Sequence, residues 1–316
     1  MTDTGPLFVS SGDLIADRRY KWALDHLARG DYRGAADILL QTIELAPNFA
    51  TAWFALGAVR DQLGDRNGAI AAFAKARDAD PGDYHGARLQ LARLGSGDAT
   101  PPMTTTYVRR LFDQYAARYD SALTEHLAYR GPALLRQAVE TVVQAAARPM
   151  HFDSALDLGC GTGLGGIAFR PFVDRLVGID LSPAMIAQAS AKRLYDRLAT
   201  ADLIEALADE AAEAAKYSLI VAADVFVYVN DLAPIIAAVA RVLAPDGLFA
   251  FTVETHGGDG VALLPTLRYA FGEKYLRAAL GEAGLAVAHL AKSAVRSEKG
   301  VPVDSLVVLA RPSTGT

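Results

Sequence analysis

The ten residues SALDLGCGTG, Ser154 to Gly163, constrain this chain more than any other stretch. Ala155, Leu156 and Leu158 make a short apolar run, as expected of a strand covered on both faces of a parallel sheet, and the run breaks into Gly159, Gly161 and Gly163. Strand, tight turn and helix start follow in that order. Glycines at these places permit positive φ and let a ligand lie against the main chain, where a Cβ would hold it off. Asp157 decides which ligand. A dinucleotide site would seat a pyrophosphate at this turn, and a carboxylate at the strand end repels that dianion but attracts a ligand with a positive centre. Gly161, Gly163 and Gly166 also satisfy G-x-G-x-x-G, yet that pattern begins three residues past the predicted strand end, too late for the first turn of a dinucleotide fold.

The run Asp157, Gly159, Gly161, Gly163 resembles the first motif, D-x-G-x-G-x-G, of class I S-adenosylmethionine (SAM) dependent methyltransferases. SAM carries an ammonium and a sulfonium. The resemblance implies an α/β Rossmann-like domain with a seven-stranded sheet whose last hairpin is antiparallel, SAM as cofactor and S-adenosylhomocysteine as product. It places Cys160 in the cofactor turn, where its backbone matters more than its thiol.

Downstream, RLVGID ends in Asp180, about twenty residues past the glycines, where a carboxylate matches the two vicinal hydroxyls of a ribose. Ser182 reads as a helix N-cap with Pro183 at the first helical position. The segment D-L-S-P-A-M resembles the family's second motif and implies Leu181 and Met185 beside the adenosine. In LATADLIEAL, expected to carry the third strand, the resemblance gives Asp202 to the adenine amino group and Leu203 to the ring; Asp202 reads equally as the acid that starts a loop. YSLIVAAD is an apolar strand whose end faces the sulfonium in the family. That makes Asp224 a cofactor contact and Phe226 and Tyr228 candidates for the pocket floor.

Before the glycine turn, a helix beginning near Thr105 puts Val108, Leu111, Phe112, Tyr115 and Tyr119 along one apolar face. The segment resembles the helix that folds over the cofactor in bacterial small-molecule methyltransferases such as those of ubiquinone and biotin synthesis. Tyr115 and Tyr119 are thus candidates for a lid, and Arg130 or a neighbour for the methionine carboxylate; ordinary amphipathic packing explains either tyrosine equally well. A further helix is expected from Pro132 to about Ala146. After a fifth strand entered through the turn Pro245-Asp246-Gly247, a glycine-rich insertion offers His256, Arg268 and Tyr269 to the acceptor, although a histidine in such a loop also serves merely as a solvated residue. Two last strands are expected to meet through Lys299-Gly300.

From about Leu14 to Gly95 the chain repeats itself. Gly30-Asp31, Gly34-Ala35 and Pro47 recur 34 residues later as Gly64-Asp65, Gly68-Ala69 and Pro81, with Leu39 answered by Phe73. The pattern resembles tetratricopeptide (TPR) repeats, most closely in the second copy at Trp53, Leu56, Gly57, Ala69, Phe73, Ala76 and Pro81. The first copy has Trp22 in a large-residue register and Thr42 where Ala76 later stands. A helix over Tyr84 to Leu94 reads as a cap. Two repeats are fewer than usually stand alone, so the region is read either as a groove for a protein or peptide or as a structural lid or self-association arm, with Trp22, Trp53 and Phe73 as core. The expected organisation is TPR-like helices over 1–95, a linker over 96–104, lid helices over 105–150 and the Rossmann-like core over 151–316.

A chain of 316 residues with a net charge of -5 suits two domains and gives no electrostatic reason to expect nucleic acid or a membrane surface as partner. One cysteine cannot form an internal disulfide, no stretch approaches a membrane span and Met1 to Gly12 lack a signal peptide's features, so a cytoplasmic protein is expected. The histidines stand far apart, and no metal site is expected. Methyl transfer needs two reactants aligned in a dry pocket, a contribution of roughly 7 to 11 kcal/mol, and a dedicated base is optional. No catalytic residue is assigned beyond the candidates His256, Tyr119 and Tyr228. Three functions fit: a methyltransferase acting on a small molecule, one acting on a protein or carrier-bound substrate recruited by the repeats, or a non-catalytic SAM-binding interaction protein.

Overall fold

The computed structural model describes residues 8–121, 129–298 and 300–313. Residues 1–7, residues 122–128 of the lid segment and Lys299 of the expected hairpin lie outside that description. The chain divides into two units, one of Met1–Leu111 with Leu263–Leu267 and one of Phe112–Ala262 with Arg268–Thr316.

The first unit is helical, with α1 (Leu14–Ala28), α2 (Tyr32–Leu45), α3 (Ala50–Gln62), α4 (Arg66–Ala79) and α5 (Ala87–Arg93) followed by the start of α6 (Thr105–Tyr115). The repeated Asp and Gly have a local cause. Asp31 and Asp65 cap α2 and α4 by accepting the N–H of Gly34 and Gly68, each at 2.9 Å, and a Cβ on those glycines would strike the capping carboxylate. Gly57 is required by packing, since a Cβ there would lie 2.7 Å from the ring of Phe73. Tyr20, Ala23, Leu39, Phe49 and Leu56 form one core, and Ala69, Phe73, Leu91 and Leu94 another.

The expected core assignment fails at Trp22, which is 51% exposed, whereas Leu56, 34 residues later, is fully buried against the first helix pair. The reason is position in the array: Leu56 has a preceding pair to pack on, and Trp22 on α1 has none among the described residues. Trp53 is half-buried and donates its indole N–H to the Pro47 carbonyl at 2.7 Å. The last helix starts three residues later than expected, because Gly86 is left-handed at φ 73° and a Cβ there would meet the Tyr107 ring at 2.8 Å.

The second unit continues through α7 (Tyr119–Ser121) and α8 (Gly131–Ala145) into a mixed sheet: β1 (Phe152–Leu158), β2 (Val173–Asp180), β3 (Arg197–Thr200), β4 (Tyr217–Ala222), β5 (Leu243–Thr255), β6 (Val261–Leu263), β7 (Tyr269–Phe271), β8 (Leu285–Glu298) and β9 (Val301–Pro312). The strands interleave with α9 (Leu164–Phe169), α10 (Pro183–Ala191), α11 (Leu203–Ala212), α12 (Ala233–Val242) and α13 (Glu273–Glu282). The parallel order is β3-β2-β1-β4-β5; β9 then runs antiparallel to β5 and carries β8 on its far side. That seven-stranded core is extended, beyond the expected count, by β6 and β7. Strand β7 adds in parallel to the far end of β5 through Glu254 and Thr255. Leu135, Val139 and Val143 of α8 pack on Ala155, Leu219, Val221 and Leu309 of the sheet.

Two local expectations change. Only Arg197–Thr200 of the third-strand segment is extended, because Asp202 caps a helix that begins at Leu203. Pro245-Asp246-Gly247 is not a turn ahead of β5 but a bulge within it: Tyr217 pairs with Leu243, and the ladder resumes at Leu219 with Leu248. Among the described residues no helix is long and apolar enough to cross a membrane.

Candidate active site

Strands β1 and β2 are parallel neighbours, with Asp157 opposite Gly178 and Leu158 opposite Ile179, so Asp157 and Asp180 reach the same edge of the sheet, where open α/β sheets hold their ligands. Between them Gly159, Gly161 and Gly163 all take positive φ, at 64°, 54° and 95°. A Cβ on Gly159 would lie 2.5 Å from Val225, and one on Gly163 would press on the Tyr195 ring at 3.2 Å. Asp180 ties the turn to β2 by accepting the N–H of Gly161 at 2.9 Å through one oxygen and that of Ser182 at 2.8 Å through the other. Each oxygen keeps a lone pair for a further donor. Burial lifts the Asp180 carboxyl to about pKa 6 against those two hydrogen bonds. Ser182 caps α10 by accepting the N–H of Met185, itself fully buried, and Leu181 is half-buried beside it.

Asp157 is almost fully buried and has a partner that sequence reasoning missed. The Tyr195 hydroxyl donates to its Oδ2 at 2.6 Å and accepts the N–H of Gly166 at 2.9 Å. Burial pushes the Asp157 carboxyl up to about 7, with the tyrosine hydrogen bond opposing and the Asp180 charge adding to the rise. The Tyr195 ring fills the room left by Gly166 and Gly178, each of whose added Cβ would come within 2.8 Å of it. Glycines at 166 and 178, outside the turn itself, were the available signal that a large side chain lies there. Cys160 is buried with its N–H on the Ile179 carbonyl, and burial drives its thiol pKa well up.

The lid segment is pinned over this turn by two carboxylates. Asp113 accepts from the Ser182 hydroxyl at 2.5 Å. Asp120 takes the Thr162 hydroxyl and the Lys192 ammonium, the latter at 2.7 Å. Tyr119 and Tyr129 then line a cleft with Asp157, Gly161, Leu164 and Ala223. A Cβ on Gly161 would sit 4.0 Å from the Tyr119 ring, in ordinary van der Waals contact, so the lid ring lies close over the turn. Tyr115 is half-buried on α6 and does not line the cleft. Arg130, the expected carboxylate partner, is exposed at the head of α8 with its backbone N–H on the Val295 carbonyl, and its neighbour Tyr129 faces the cleft instead.

The acceptor-side candidates separate. Asp224 follows β4 with φ 60° and its N–H on the Thr252 hydroxyl at 2.8 Å, and its carboxylate is paired with Arg296. Arg296 also binds Glu254 and Glu298, and Arg268 binds the same two acids. Tyr228 receives a hydrogen bond from Arg268 and stacks edge-on against Phe112 at 5.0 Å, which in turn meets Tyr119 at 6.1 Å. Phe226 is not a pocket floor: it is fully buried between Phe249 and Phe251 under the sheet. Tyr269 is fully buried in β7, which removes it from the acceptor surface. His256 spends both ring nitrogens on its own loop, with Nδ1 accepting the Gly258 N–H and Nε2 facing the Gly260 carbonyl, each at 2.9 Å. A base needs a free nitrogen, and His256 borders a different groove beside Lys274 and Lys292. Asp202 is occupied as the α11 cap, accepting the Ile204 N–H at 2.9 Å, and Leu203 is half-buried at the first turn. At the opposite end of β1 and β2, exposed His151, Asp153 and Asp174 bring ligand atoms within 4.8 Å of one another, a grouping the sequence spacing does not reveal.

The residues present fit SAM: Asp157 for its cationic methionine end, the Cβ-free turn for its close approach and the Asp180 lone pairs for its ribose. A family model described as a methyltransferase domain matches residues 156–249. Over 85 residues the chain is 41% identical to Methyltransferase-like protein 27 of Homo sapiens; the match takes in 27% of this chain and 33% of that protein, so the chain spans about a third of the length of this curated relative. Similar solved structures include a SAM-dependent methyltransferase from Clostridium acetobutylicum (18% identity, TM-score 0.46, 65% of this chain and 100% of that one). Another is the 1,6-didemethyltoxoflavin-N1-methyltransferase of Burkholderia thailandensis, holding its substrate and S-adenosylhomocysteine (19% identity, TM-score 0.49, 66% and 88%). The match to a methyltransferase domain thus takes in the glycine turn and both acids, which stand on a Rossmann-like mixed sheet.

Proposed function

We propose that the protein is an active methyltransferase that passes the methyl group of SAM by in-line displacement to a small-molecule acceptor, in a cleft bounded by the glycine turn, Tyr119 and Tyr129. The observation that carries this reading is the meeting of Asp157, Asp180 and three positive-φ glycines at one sheet edge, roofed by lid residues that Asp113 and Asp120 fasten. Bound there, the cofactor supplies a methyl already activated on sulfur. The chain's own work is to hold both reactants and exclude water, which needs no dedicated base. The helical region is read as a short TPR-like array, on the recurrence of Asp31 and Asp65 as helix caps and of Ala23 and Gly57 at one buried register. Its role is taken to be self-association or the docking of a protein, and the protein is taken to work in the cytoplasm.

Calorimetry with SAM, S-adenosylhomocysteine and NAD tests the cofactor, and label transfer from methyl-labelled SAM tests catalysis. Binding of both adenosyl compounds and label transfer to a small acceptor are expected. Binding without transfer to any acceptor in a cell extract would favour a non-catalytic SAM-binding interaction protein, and NAD binding at the turn would end the account.

A further inference from the structure

Five ionised groups meet next to the cleft: Asp224 at the end of β4, Glu254 at the end of β5, Arg268 before β7, and Arg296 and Glu298 on β8. Three carboxylates face two guanidinium groups, a surplus of one negative charge among the described residues. The layering matters more than the sum. The arginine side chains are the deep members, at 1% and 5% exposure, while Asp224 and Glu298 keep 11% and 24%. Both arginines are already committed to carboxylates, so an arriving anion would have to break an internal pair and then meet the outer acids. A cation meets those acids directly.

Aromatic rings of the cleft stand near Asp224. Tyr119 and Tyr129 line the cleft with Ala223, the residue before Asp224, and Tyr228 reaches Tyr119 through Phe112. All three hydroxyls are pushed above their ordinary pKa by burial first and, among other charges, by Asp224, so each ring lies within the field of that carboxylate. Protonated tyrosines offer ring faces and neutral hydroxyls, which attract cationic nitrogen.

Resting on the methyltransferase reading, we infer that the acceptor is recognised through a cationic nitrogen, an ammonium or its equivalent, held between Asp224 and the rings of Tyr119, Tyr129 and Tyr228, and that acceptors presenting a carboxylate or phosphate there are refused.

Benzylammonium chloride and sodium benzoate make a matched pair of probes, one ring with opposite charges. Thermal shift and calorimetry on the full chain, with and without S-adenosylhomocysteine and at constant ionic strength, compare them. Benzylammonium is expected to bind at least tenfold more tightly than benzoate, with Tyr228→Leu and Asp224→Asn each lowering its affinity fivefold or more. Asp224→Asn leaves Arg296 with fewer partners, so Tyr228→Leu serves if that variant fails to fold. Preference for benzoate, equal binding of both, or no binding of either would overturn the inference. A chain that ignores S-adenosylhomocysteine yet takes benzylammonium would instead sink the cofactor reading and leave the cationic site standing.

Discussion

Asp157 is where composition, burial and chemistry meet most closely. Its side chain sits at the end of an apolar strand, and the Tyr195 hydroxyl holds one of its oxygens in place. Tyr195→Phe removes a donor from a buried carboxylate and an acceptor from the Gly166 N–H; an unmade buried hydrogen bond costs about 1 to 3 kcal/mol, so SAM affinity measured by calorimetry should fall about tenfold or more. The titration has a definite sign. Asp157 and Asp180 release their protons near pH 7 and 6 in the folded chain, against roughly 3.9 for an unperturbed aspartate. Between those limits the native state holds protons that the unfolded chain has lost, so the contribution of both acids to apoprotein stability declines as pH rises through that window. The ionised form is the one a cation needs. SAM affinity should therefore rise from pH 6 to 8, by up to about tenfold for a single group of pKa near 7, and level off above, and Asp157→Asn should flatten that rise. At the buried ion cluster, Arg296→Met would strand Asp224 and leave Glu254 with Arg268 alone, and is expected to lower the urea midpoint by an amount equivalent to about 3 to 5 kcal/mol.

At the scale of elements, periodicity was informative where each element answers only to its neighbours. The 34-residue recurrence locates the helix pairs because caps and small-residue contacts are local: Asp31 and Asp65 cap equivalent helices, and Gly57 leaves room for Phe73. It mistakes Trp22 for core, because a repeat's register does not say whether a preceding repeat exists. Leu56→Ala is expected to cost about 2 to 5 kcal/mol in chemical denaturation, whereas Trp22→Ala, at the equivalent register but open, should cost under about 1 kcal/mol. A similar limit applies to β5. Pro-Asp-Gly reads as a turn from local chemistry, but pairing of Leu243 with Tyr217 on β4 holds the preceding residues in the sheet and leaves the tripeptide as a bulge. His256 shows the converse: a glycine-rich loop makes a histidine look available, while the loop's own N–H and carbonyl groups engage it.

For the molecule as a whole, each unit has its own core, and the cofactor turn lies in the second. Saturating S-adenosylhomocysteine at about a hundred times its Kd should stabilise that unit by about 2.7 kcal/mol. Hydrogen exchange is expected to show the added protection in β1, β2 and α10 and none in α1 to α4; protection gained equally in the repeats would mean that they unfold together with the sheet. The sequence by itself determined the α/β class, the helical character of the first unit and the glycine turn, because glycine placement, strand-end acids and helix caps are constraints a residue meets within its own segment. Tertiary structure alone decided that Tyr195 secures Asp157, that Arg130 and His256 turn away from the cleft while Tyr129 enters it, and that Asp224 joins Glu254 and Arg296. Those partners come from β4, β5, β8 and a loop far apart in the chain, and a carboxylate's partner is chosen by which groups burial brings within reach, a quantity no local pattern encodes.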